Sequence, residues 1–68
     1  MTDREWIAAY AVALGMPAPD DADIEAILEL AGVAAHASAR TAAPVACWLA
    51  AGSGRRTADV LALARGVA

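Results

Sequence analysis

Hydrophobic residues recur along most of the chain at intervals of three and four, which is the spacing of an amphipathic helix. A capping box at Thr2–Glu5 is predicted to start the first helix, and Gly15 supplies a left-handed stop. The apolar positions between these signals are Trp6, Ile7, Tyr10 and Leu14. The two prolines of the segment 16–19 then predict a stiff connector, because proline fixes its own backbone and disfavours helix before it.

A second helix is predicted from the acidic segment 20–23, whose charge suits the positive end of a helix dipole, to about Arg40. Leu30 and Val33 widen its buried face beyond one stripe. Gly32 falls in the middle of the helix at a cost of about 1 kcal/mol relative to Ala, and we expect it to permit close helix packing. The predicted buried face consists of Ile24, Ile27, Leu28, Ala31, Ala34, Ala35 and Ser38.

Two shorter helices complete the pattern. Thr41 is predicted to cap the third, with Pro44 in its first turn, and the Gly-Ser-Gly segment 52–54 ends it. Thr57 is predicted to cap the fourth, and Gly66 closes it. The large apolar residues of the third helix are Val45, Trp48 and Leu49, and those expected to pack inward from the fourth are Val60, Leu61, Leu63 and Ala64. With no strand pattern, residues 1–68 are predicted to form a single all-α domain, a compact bundle of four short helices.

The composition indicates a thin core. The chain has 68 residues, of which 21 are Ala, and a domain this small buries only about 60% of its unfolded surface. Alanine adds little apolar area to that burial, which contributes roughly 25 cal/mol per Å². Small domains usually need a staple, very regular packing or a partner, so we expect this one to dock on another protein.

The charge distribution and the N-terminal sequence exclude several classes of protein. The net charge is −3 and the arginines are scattered, so no basic stripe is present to follow phosphates and nucleic-acid binding is not expected. Acidic residues Asp3 and Glu5 argue against a signal peptide. The charge-free run that begins at Thr41 and stops before Arg55 is shorter than the ~20 apolar residues of a membrane span. One cysteine fits a reducing compartment, and we predict a cytoplasmic protein.

Candidate chemistry is sparse. His36 and Arg40 stand four apart, so on one helix they share a face and form a notch for a carboxylate or phosphate; alternatively His36 satisfies a core carbonyl and Arg40 caps the helix end. Cys47 is interpreted as a buried thiol rather than a reactive one, and a lone His and Cys cannot fill a metal site. Glu25 and Glu29 are interpreted as a solvated face. No catalytic residue, metal or cofactor is predicted.

The sequence is compatible with two environments for the tryptophans. Trp6 and Trp48 either anchor the core or stand partly exposed as interface hot spots, where tryptophan is enriched. With a core this thin, we expect at least one of them to contact a partner.

The stretch from Leu30 to Trp48 supports a comparison. It reads Leu-Ala-x-x-x-Ala-His-x-x-Ala-Arg-x-Ala-Ala-Pro followed by an aromatic-containing helix, preceded by Trp6, Leu14-Gly15 and an acidic segment. This pattern resembles a small family of uncharacterised helical proteins from high-GC bacteria. Its members resemble either an extra C-terminal domain of molybdenum cofactor guanylyltransferase or small companions of formate dehydrogenase accessory proteins.

The chain departs from that pattern in two places. Gly32-Val33 stand where the family tends to have Arg-Asp, and Thr41 stands where it often has Pro. The loss of a charged pair weakens any partner contact that used it, whereas the apolar replacement suits a permanent, buried interface.

The resemblance implies a non-catalytic accessory protein or small subunit that docks on a molybdopterin-dependent enzyme, with formate dehydrogenase as the expected client. The docking surface is predicted at the His36–Arg40–Pro44 corner with Trp48, and Trp6 is a further candidate contact. One alternative is a cofactor maturation factor that binds the pterin or a nucleotide through His36 and Arg40. Another is a structural domain that associates with itself through its Ala-rich faces.

Overall fold

The computed structural model describes residues 1–67, and within them the chain forms four α-helices and no strand. The helices are α1 (Asp3–Leu14), α2 (Asp21–Ala37), α3 (Ala42–Gly52) and α4 (Thr57–Arg65). The predicted all-α class and the number of helices are therefore confirmed.

Both ends of α1 follow the predicted signals. The Thr2 hydroxyl accepts a hydrogen bond from the Glu5 amide at 3.1 Å, and the Glu5 carboxylate accepts one from the Thr2 amide at 3.0 Å. The hydrogen bond from the Thr2 amide to the Glu5 carboxylate lowers the pKa of Glu5 from its usual value, and the Thr2 side chain lowers it further. Gly15 ends the helix at φ 71°, a left-handed conformation that glycine adopts without steric cost.

Helix α2 starts as predicted but ends early. The Asp20 carboxylate accepts a hydrogen bond from the Asp23 amide at 2.8 Å. The prediction that the helix reaches Arg40 is wrong, because Ser38 leaves helical geometry at φ −138° and ψ −95°. The carbonyls of Ala39 and Arg40 then accept amides of the first turn of α3 at 2.9 and 3.2 Å. This tight turn is what allows α3 to fold back onto α2.

Two predicted caps are wrong. Thr41 stands directly before α3 as predicted, but its backbone angles are helical and its side chain makes no capping hydrogen bond. Pro44 lies in the first turn of α3 as expected. Arg56, not Thr57, precedes α4. The Thr57 hydroxyl donates a hydrogen bond of 2.7 Å to the Asp23 carboxylate of α2, so it links two helices instead of capping one.

Helix α2 organises the fold. Helices α3 and α4 pack closely on it, and α1 does not pack closely on any other helix backbone. An exposed ion pair of 2.7 Å between Arg65 and Glu29 also joins α4 to α2. One end of α1 approaches α2 through Arg4 and Asp21, whose side chains are 3.9 Å apart.

Very little of the chain is buried. Among residues 1–67 the buried side chains are Ala11, Leu30 and Val60, and Leu30 is the least exposed at 3%. The predicted inward face of α2 needs correction, because Leu28 is 60% exposed and Ser38 is exposed. Leu63 of α4, predicted to pack inward, is also exposed.

The expected role of Gly32 is also wrong. A Cβ atom built at this position meets nothing within 4 Å, so no neighbouring helix approaches closely enough to require a glycine there.

Candidate docking surface

The chain exposes more surface than a folded monomer of its mass normally does. Its accessible area is 5149 Å², whereas about 4,000 Å² is expected at 6.9 kDa. The difference of about 1,100 Å² exceeds the ~800 Å² that one partner contributes to a standard protein interface. Within residues 1–67, twelve large hydrophobic side chains are exposed, and they are Met1, Trp6, Tyr10, Val12, Leu14, Met16, Leu28, Val45, Trp48, Leu49, Leu63 and Val67.

Helix α3 carries the clearest exposed apolar face. Its sequence AAPVACWLAAG contains no charged side chain, and a helix that is apolar all round is normally buried all round. Here only one side is covered, where small residues face α2. The partly buried residues are Ala42, Ala43, Ala46, Cys47 and Ala50. At 100° per residue, Val45 and Trp48 lie on the opposite side, and Trp48 is 76% exposed.

The exposed face of α3 continues onto α4. Leu49, Leu63 and Val67 line one open depression of about 310 Å³ between the two helices. We refer to Val45, Trp48, Leu49, Leu63 and Val67 as the α3–α4 surface. A contiguous apolar surface of this kind is typical of a protein interaction site.

The structure separates the predicted corner residues into two groups. Pro44 and Trp48 are four residues apart within α3 and share its outer face. His36 and Arg40 do not share a helix face, because α2 ends at Ala37. Both side chains are exposed, so the alternative of a core histidine is wrong for His36.

Trp6 stands apart from this surface. Its ring stacks on that of Tyr10, with centroids 5.1 Å apart and planes 28° from parallel. Both side chains are about half exposed, so Trp6 is not a core anchor.

A second feature, a groove beside α2, was not predicted from the sequence. It encloses about 460 Å³ and is almost entirely apolar, with Arg55 as the one cationic side chain in its wall. We call it the α1–α2 groove. Its principal apolar walls are Ile7, Met16, Pro19, Ile24, Ile27 and Leu28. Ile24, Ile27 and Leu28 have the i, i+3, i+4 spacing that indicates an apolar helix face. The sequence does not show that α1 lies apart from this face and leaves it open.

The remaining candidate chemistry has a structural explanation. Cys47 is partly buried, and its Sγ lies 4.0 Å from the carbonyl oxygen of Ile27. Burial raises the pKa of this thiol. The reactive thiolate is therefore disfavoured. Glu29 pairs with Arg65, as expected of a solvated face.

Residues 1–67 contain no group of three or more His, Cys, Asp or Glu side chains placed to hold a metal ion. In the same part of the chain, no helix combines the length and the hydrophobicity that crossing a membrane requires.

The fold and its surfaces define a small all-helical domain with an exposed apolar face. Residues 2–68 match the family described as a domain of unknown function, DUF6457, and the chain belongs to that family. No curated protein and no solved structure gave a match.

Proposed function

We propose that this protein is a non-catalytic docking domain that uses its α3–α4 surface to bind a larger protein. The observation that carries the proposal is Trp48, 76% exposed on the outer face of a helix without charged side chains. Tryptophan in the middle of an apolar patch is the residue most often found as an interface hot spot.

The area and the shape of the exposed surface support the proposal. The excess of about 1,100 Å² over a monomer of this mass is enough for one standard interface. Pro44 extends the apolar face toward the turn between α2 and α3, where His36 and Arg40 are exposed. Polar side chains at the edge of an apolar patch are typical of an interface rim, where they set orientation more than affinity.

The proposed client is a cytoplasmic molybdopterin-dependent enzyme, with a formate dehydrogenase as the first to test. This part of the proposal rests on the sequence resemblance from Leu30 to Trp48.

Self-association through the same surface is a second candidate function, and the shape of the surface around Trp48 favours it. Pro44 and Gly52 flank Trp48 at four-residue spacing, and the space beside the Gly52 backbone is open. In a dimer with a two-fold axis near Trp48, the indole of each protomer would occupy the open space beside Gly52 of its partner. This is the self-complementary arrangement of an isologous dimer. Because α3 carries no charge, such a pairing brings no like charges of α3 together.

Purification of the native protein, followed by sedimentation at several concentrations, tests both candidates. We expect the protein to co-elute with a larger protein, identified by mass spectrometry, and the proposed client predicts molybdenum in the complex. A complex without molybdenum would retain the docking function and reject the client. A concentration-dependent dimer without a further protein would favour self-association, and a monomer at every concentration would contradict both.

A further inference from the structure

The α1–α2 groove differs from the α3–α4 surface in most of its lining, although Ala50, Arg55 and Val60 also line the depression between α3 and α4. It lies between α2, the start of α4, the end of α3 and the Ile7 side of α1. Its volume of about 460 Å³ falls within the range of roughly 300–1,000 Å³ that is usual for small-molecule sites. We propose that this groove binds a fatty acid, with the alkyl tail along the apolar wall and the carboxylate on Arg55.

The wall selects for an alkyl chain. Isoleucine, leucine, methionine and proline side chains form most of it, and its hydroxyl and carboxylate, Thr57 and Asp23, are hydrogen-bonded to each other at 2.7 Å. No buried side-chain nitrogen or oxygen among the described residues lacks a partner. A sugar or a nucleobase placed against this wall would lose hydrogen bonds to water without replacing them, which is unfavourable, whereas a methylene chain loses none.

Arg55 supplies the one positive charge of the wall. It makes no ion pair with any described residue, whereas its neighbour Arg56 lies 3.9 Å from Asp59. The Arg55 amide donates to the Ser53 hydroxyl at 3.2 Å, and Gly54 adopts a left-handed φ of 71°. This turn places Arg55 outside α3, where it lines both the groove and the neighbouring depression between α3 and α4. A guanidinium binds a carboxylate through two parallel hydrogen bonds, so one anionic head group satisfies it.

Charge complementarity therefore indicates a ligand with a long apolar part and one anionic end. A fatty acid has both features. A neutral lipid of the same length would not gain the charge-assisted hydrogen bonds that a carboxylate makes with the exposed Arg55 guanidinium.

Calorimetric titration of the full chain with straight-chain carboxylates of increasing length, each below its micelle concentration, tests the proposal. We expect saturable binding with one site, and an affinity that rises about fourfold for each added methylene until the groove is filled. The alcohol of the same chain length should bind at least tenfold more weakly, because it lacks the charge that Arg55 recognises.

Matched variants locate the site. Arg55→Gln should weaken carboxylate binding at least tenfold and leave alcohol binding unchanged, while Arg56→Gln, next to it in sequence, should change neither. Leu28→Gln should weaken both ligands, and Leu63→Gln, similarly exposed but on the α3–α4 surface, should not. Far-UV circular dichroism of each variant verifies that the helices are retained.

Three results would overturn the proposal. They are the absence of saturable binding, equal effects of the two arginine variants, and equal effects of Leu28→Gln and Leu63→Gln. The last of these would show adsorption on apolar surface in general. None of these results bears on whether the α3–α4 surface binds a protein.

Discussion

Leu30 and Leu28 are two residues apart in the same helix, and they have opposite environments. Leu30 is 3% exposed and shares its surroundings with Ala46 of α3 and Val60 of α4, whereas Leu28 is 60% exposed in the wall of the α1–α2 groove. The sequence pattern placed Leu28 on the buried face and Leu30 at its margin. A helical stripe shows which residues lie together, but the helices that cover it depend on tertiary packing.

Truncation of these two leucines should therefore have unequal effects. Leu30→Ala removes buried methyl groups and should lower the free energy of unfolding by about 2–5 kcal/mol. A domain of this size has about 3–5 kcal/mol in total from its core, so this variant should be largely unfolded. Leu28→Ala should cost less than about 1 kcal/mol, since its side chain is mostly in water.

Urea denaturation followed by circular dichroism measures both values. Equal destabilisation by the two substitutions would contradict the assignment of Leu30 to the core.

The helices differ in how their ends are formed. At the starts of α1 and α2, a side-chain oxygen accepts a hydrogen bond from the backbone amide three residues later, Thr2 from Glu5 and Asp20 from Asp23. Both bonds are predictable because the partners are neighbours in sequence. At α4 the hydroxyl of the expected cap, Thr57, donates a hydrogen bond to the carboxylate of Asp23, which lies 34 residues earlier in the chain. A threonine near the start of a helix has the same sequence signature whether it caps that helix or binds another one, and only the packing of α4 on α2 distinguishes the two uses.

Thr57→Val should break the link between α4 and α2. The substitution keeps the shape of the side chain and removes the hydroxyl, so the Asp23 carboxylate loses a hydrogen bond in a partly buried position. We expect the free energy of unfolding to fall by about 0.5–1.5 kcal/mol.

Thr41→Val is the matched control. Thr41 makes no side-chain capping hydrogen bond, so its replacement should alter the free energy of unfolding by less than about 0.5 kcal/mol. If Thr41→Val proved the more destabilising of the two in chemical denaturation, Thr41 would be the working cap after all.

The chain as a unit has more apolar surface than its own helices cover. Three buried residues among those described make a small core, and α3 is apolar on the side that faces water as well as on the side that faces α2. The α3–α4 surface therefore contributes little to the stability of the isolated chain and is available for a partner, whose binding would stabilise the fold by mass action.

Trp48→Ala should separate binding from folding. The indole is 76% exposed, so we expect the free energy of unfolding of the isolated chain to change by less than about 0.5 kcal/mol. Partner binding, or dimer formation if the second candidate holds, should weaken by at least about 2 kcal/mol, or roughly 30-fold.

Val12→Ala is the control for this variant, because Val12 is equally exposed, at 78%, but belongs to α1. Binding measured by calorimetry or sedimentation should be unaffected by it. Loss of folding in Trp48→Ala, or equal loss of binding in both variants, would count against Trp48 as the hot spot.

Local signals were enough to predict the helices, the capping box, the left-handed glycine and the thin core, because each depends on composition or on residues within about four positions of one another. They left open whether Trp6 and Trp48 are core anchors or partly exposed. The tertiary structure alone decided that the exposed face of α3 holds Trp48, that Thr57 binds Asp23, that His36 and Arg40 are not on one helix, and that a groove opens between α1 and α2. Each of these depends on how helices far apart in sequence pack, and in a chain so rich in alanine several faces of each helix are apolar enough to be the buried one.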